Sequence, residues 1–63
     1  MDKRSVFLKI YANLPVGSRN EIVVVVDEQP MTWNSVWLEV NEETPLSKKI
    51  LEKLVDLEIL NDE

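Results

Sequence analysis

Two pairs of adjacent acids, Asp27-Glu28 and Glu42-Glu43, and the hydroxyls of Ser5, Ser18, Thr32, Ser35, Thr44 and Ser47 are the side chains through which this chain could do covalent or acid–base chemistry. Histidine and cysteine are absent from its 63 residues. The usual general base and the thiolate nucleophile are therefore missing, and no hydroxyl has a recognisable activating partner. Paired carboxylates can share acid–base work or hold a hard cation, but neither pair has the spacing of a calcium loop. Both have simpler readings. Asp27-Glu28 closes a Val-rich run as an aggregation gatekeeper, and Glu42-Glu43 meets the positive end of a helix dipole.

A single glycine, Gly17, rules out both common nucleotide-phosphate cradles, which need two or more glycines at fixed spacing. With neither Cys nor His, the soft-ligand metal sites are excluded as well. No cofactor, no metal and no enzymatic activity are expected. Seven basic residues against twelve acidic ones give a net charge of −5, which disfavours a phosphate backbone as partner. No apolar run is long enough to span a bilayer, and no signal-peptide core stands near the N-terminus, so a cytoplasmic protein with no membrane partner is expected.

What remains are the aromatics. Residues 5–12 alternate with period two and read as a strand, with Val6, Leu8, Ile10 and Ala12 on one face and Phe7 and Tyr11 on the other. Residues 13–20 form a connection, with Pro15 and Gly17 suiting a turn or one short helical turn. Ile22-Val23-Val24-Val25-Val26 is a run of β-branched residues without polar alternation, the pattern of a central strand buried on both faces. The stretch from Asp27 to Pro30 is short enough for a hairpin connection. Residues 31–41 read as a third strand, with Val36, Leu38 and Val40 on one face and Met31, Trp33 and Trp37 on the other.

Thr44-Pro45 is a helix start: a capping hydroxyl followed by proline at the first helical position. Leu46, Ile50, Leu54 and Leu57 then recur at helical spacing. The expectation is a single domain over residues 1–63. Its fold class is α+β: a three-stranded antiparallel sheet with one C-terminal amphipathic helix packed on one face, in the order β-β-β-α.

One helix covers one face of such a sheet. If that face is the aliphatic one, Phe7, Tyr11, Val23, Val25, Trp33 and Trp37 are left on the other. Four half-shielded aromatics would expose roughly 300 to 500 Å² of apolar area, the size of an interaction site. A chain this short also gains stability from a second copy. The sequence thus predicts a protein-interaction module that self-associates as a homodimer, or binds another protein, through these six residues. Burial of the same residues in a second core, covered by Leu14 and Val16, is the competing structural outcome. A functional alternative is a nucleic-acid-associated protein stacking bases on Phe7, Tyr11, Trp33 and Trp37, although Lys9 and Arg19 are the only cations placed near them.

The segment Leu14-Pro15-Val16-Gly17-Ser18-Arg19-Asn20-Glu21-Ile22, then Thr32-Trp33-Asn34, then the Leu/Ile-rich terminal helix, resembles small uncharacterised proteins of thermophilic archaea. The resemblance implies a shared fold and carries over no functional residue. Glu/Lys/Val-rich usage without Cys is compatible with a thermophile.

Overall fold

Three helices form around one β-hairpin in the computed structural model, which describes residues 2–60. The elements are α1 (Lys3–Asn13), a 3-10 turn (Val16–Asn20), β1 (Ile22–Val26), β2 (Gln29–Thr32), α2 (Trp33–Asn41) and α3 (Pro45–Asp56). The class is α+β, but the three-stranded sheet with a single C-terminal helix is overturned: the sheet has two antiparallel strands, and two further helices precede α3.

The first expected strand, residues 5–12, lies inside α1. Local chemistry explains why. Asp2 has extended backbone and its carboxylate accepts from the Ser5 N–H, which caps the N-terminus of α1. At the other end Leu14 precedes Pro15, which disfavours helical geometry at Leu14, and Leu14 is extended. Between these signals Phe7 and Tyr11 are four apart and share a helix face.

The third expected strand divides in two. Its first residues complete β2, and Thr32 then caps α2, its Oγ1 accepting from the Ser35 N–H at 3.1 Å. Val36 and Val40, again four apart, are buried, while Leu38, which alternation had placed beside them, is 49% exposed.

The Val-rich run is a strand as expected, but it is not central. Among the described residues it pairs with β2 alone, in the register Val26↔Gln29, Val25↔Pro30 and Val24↔Met31, with an irregularity between Ile22 and Val24. Its burial alternates accordingly: Val24 and Val26 are buried, whereas Ile22 and Val25 are 62% and 51% exposed. Asp27 and Glu28 form the loop, and both have positive φ, 52° and 66°, as a two-residue primed turn requires. Such a loop makes Val26 and Gln29 the hydrogen-bonded pair and Val25 and Pro30 the non-bonded one. Proline is tolerated in β2 because its missing N–H would have faced away from β1.

The expected start of α3 holds. Thr44 is its N-cap and Pro45 its first residue, and Ile50, Leu51 and Leu54 turn inward. α3 packs on α1, α2 and β1, while α2 also packs on α1 and β2. The core joins Phe7 of α1, Val24, Val26 and Met31 of the hairpin, Val36 and Val40 of α2, the inward residues of α3, and Leu60, which folds back after it. The whole is small and compact, with a radius of gyration of 10.6 Å. No helix among the described residues is long and apolar enough to cross a membrane.

Candidate functional site

Because α1 and α2 are helices, the aromatic residues lie along the seam between them rather than on a sheet face. Phe7 and Tyr11 project from consecutive turns of α1, and Trp33 and Trp37 from consecutive turns of α2. The four rings form one stacked series. Trp33 meets Phe7 at 5.9 Å between centroids, Phe7 meets Tyr11 at 6.1 Å, and Tyr11 meets Trp37 at 5.7 Å, with interplanar angles of 19°, 28° and 22°. Phe7 is fully buried, while Tyr11, Trp33 and Trp37 are half-buried. Each ring contact adds about 0.5–1.5 kcal/mol beyond the area it buries, so the series is a substantial part of what holds α1 in place.

The 3-10 turn closes one side of the seam. Arg19 lays its guanidinium over the Tyr11 ring, 4.3 Å from the centroid, and its Nη2 donates to the Tyr11 carbonyl at 3.1 Å. Its Nε is sealed from solvent with no hydrogen-bond partner among the described residues, a loss that the cation–π contact offsets in part. The Tyr11 hydroxyl donates to Asn34 Oδ1 at 2.6 Å, and Asn34 Nδ2 donates to Asn20 Oδ1 at 2.9 Å. Arg4 reaches from α1 to the Val40 carbonyl at 3.3 Å and ties the other end of the seam.

The six residues predicted as one surface are thus divided. Phe7, Tyr11, Trp33 and Trp37 are brought together and spent largely on one another. Val23, half-buried, and Val25, exposed, stand apart on β1. Arg19 lies over the Tyr11 ring and Asn34 bonds its hydroxyl, whereas Val16, expected as part of the cover, is 75% exposed. Sequence reasoning missed Asn34 and the capping role of Arg19, and nothing in composition or spacing marks them before the helices are known.

Outside the seam, the outer edge of β1 is the other feature of note. Beside it runs a shallow groove of about 260 Å³, walled by Val25 and Asp27 on the hairpin side and by Lys49, Glu52, Lys53 and Asp56 of α3. Lys49 Nζ and Asp27 Oδ2 are 3.1 Å apart across it, and both side chains are well exposed, at 59% and 67%. No cluster of three or more acids able to hold a metal ion occurs among the described residues.

Comparison with known proteins returns no matching family model, no matching curated protein and no matching solved structure.

Proposed function

We propose that the chain is a protein-interaction module that takes up an extended protein segment as a third strand on the outer edge of β1. The observation that carries this reading is the state of that edge. Among the described residues β1 has one strand neighbour, and its own five residues are all β-branched, without a proline, lysine or other charge. Proteins that leave such an edge unused blunt it with those very devices, and β2 has Pro30.

The hairpin register sends the Val25 N–H and C=O outward, where a third strand would find them. Strand addition gives affinity through main-chain bonds and selectivity through alternate side chains. The exposed Val25 and Ile22 supply the apolar contacts, and the mixed charges of the groove supply a polar rim. In this reading the aromatic series is scaffold, fixing the helices against which the hairpin rests. A cytoplasmic setting is part of the same proposal, supported by the lack of cysteine.

Selection of short random peptides on the immobilised protein tests it. Enrichment of β-branched peptides that bind the wild type and the Leu38→Lys variant, and fail on Val25→Lys, is expected. Peptides that bind Val25→Lys as well as the wild type would place recognition elsewhere and overturn the reading, as would a selection that enriches nothing on a monomeric wild type.

A further inference from the structure

The groove beside β1 is lined by α3 residues 49, 52, 53 and 56, a spacing of i, i+3, i+4 and i+7 that sets all four on one face of the helix. In order they are Lys49, Glu52, Lys53 and Asp56: basic, acidic, basic, acidic. Read backwards the same row is acidic, basic, acidic, basic. A second copy of α3 laid antiparallel along the first therefore sets Lys49 against Asp56 and Glu52 against Lys53, and both pairs again from the other side. No like charges meet.

We infer that the segment taken up by β1 is β1 of a second copy of this chain, giving a two-fold dimer with a four-stranded antiparallel sheet and the two α3 helices side by side along the groove. The inference rests on the edge of β1 being a recognition surface, as proposed above, and names its occupant. Both halves of the contact are self-complementary, as a two-fold interface requires. On the strand side, the pairing centred on Val25 makes its outward N–H and C=O exchange bonds with those of the other copy. It also sets Asp27 opposite Val23 of the second copy, so the acids Glu21 and Asp27 that flank β1 do not confront each other. On the helix side, Lys49 is held among the described residues by an exposed contact to Asp27, which it can exchange for Asp56 of the second copy at small cost.

Sedimentation at low salt tests the inference by charge reversal. The wild type is expected to dimerise, and Lys53→Glu and Glu52→Lys alone are each expected to weaken association roughly tenfold or more, since each turns two attractive pairs into repulsive ones. Mixed in equal amounts, the two variants are expected to recover the dimer, because the residue reversed in one faces the residue reversed in the other. Val25→Lys, which leaves α3 intact, is expected to abolish it and guards against a charge variant that misfolds. A wild type that stays monomeric at millimolar concentration overturns the inference, as does a dimer that the single reversals and Val25→Lys leave unchanged. A monomeric wild type that still binds the selected peptides at Val25 removes the second copy as occupant and leaves the proposed function standing. Failure of both experiments removes both.

Discussion

Glu43→Gly should make the protein more stable, although it deletes a side chain and adds a glycine. Glu43 follows the C-cap of α2 with φ of 51°, in the left-handed region. Its N–H donates to the Val40 carbonyl, and the N–H of Thr44 donates to the Glu39 carbonyl, both at 3.2 Å, the paired bonds of a Schellman turn. A residue with a Cβ is strained there by about 1–2 kcal/mol. Glycine removes that strain but loses about 0.4–1 kcal/mol more chain entropy on folding, so the net gain should be about 0.5–1 kcal/mol. The charge contributes little to the difference, because Glu43 lies both after the negative end of α2 and before the positive end of α3, and the two dipole effects oppose each other. Glu43→Ala separates the terms, since it removes the charge and keeps the strain, and it should leave stability nearly unchanged. In thermal melts the glycine variant should rise by roughly 2–8 °C over wild type. A glycine variant less stable than the alanine variant would refute the reasoning, because the strain at Glu43 would then not exist.

Gly17 should respond in the opposite way. It has no positive φ and an added Cβ meets nothing within 4 Å, so Gly17→Ala should stabilise by about 0.4–1 kcal/mol in urea titrations. Phe7→Ala empties the fully buried centre of the ring series and should cost about 3–5 kcal/mol, enough for a chain this small to show a partly unfolded baseline by circular dichroism without denaturant. Thr44→Ala removes the oxygen that accepts from the Ser47 N–H and should cost about 1 kcal/mol by chemical denaturation. The Asp2 carboxyl is held below its ordinary range, first by the Ser5 hydroxyl and then by the Ser5 N–H. A folded value below the unfolded one means that this support is present above the ordinary aspartate range and is lost as pH falls through the folded value. Asp2→Asn should accordingly lessen the loss of α1 helicity at acid pH, followed by circular dichroism.

α3 was legible in the sequence because three independent signals coincide in it: a capping threonine, a proline at the first helical position and an apolar stripe of helical period. α1 and α2 were not, because their apolar residues satisfy both periods over short spans. Val6, Leu8 and Ile10 alternate as in a strand, yet Phe7 and Tyr11 recur as in a helix. The deciding information was in the caps: Asp2 ahead of Ser5, and Thr32 ahead of Ser35, each pair three apart. Both were outweighed by β-branched and aromatic content, which only weakly disfavours a helix that tertiary packing supports. The β-branched run from Ile22 to Val26 marks a strand but not its place in a sheet: two alternate residues of the five, Val24 and Val26, are sealed, so one face is buried and not both. An apparent central strand has no free edge, so the sequence pattern hides both the β1 edge and the α3 charge row that lies beside it.

Thr44 sets how this architecture can vary in length. Its N–H completes the end of α2 on the Glu39 carbonyl at 3.2 Å, its Oγ1 donates to Glu39 Oε1 at 2.6 Å and accepts from the Ser47 N–H, and its carbonyl accepts from the Ser47 hydroxyl at 2.6 Å. One residue thus serves as the last of one motif and the first of the next, with no spare position between them. An insertion between Glu43 and Thr44 must separate the two sets of bonds, pulling the Thr44 hydroxyl away from Glu39 or moving the cap of α3, because one residue now makes both. The chain between Asn13 and Ile22 has no such double duty: Val16 is exposed, and Gly17 faces open space. Among relatives of this chain, length differences should therefore collect ahead of the hairpin, while the junction of α2 and α3 keeps its residue count even as its side chains drift.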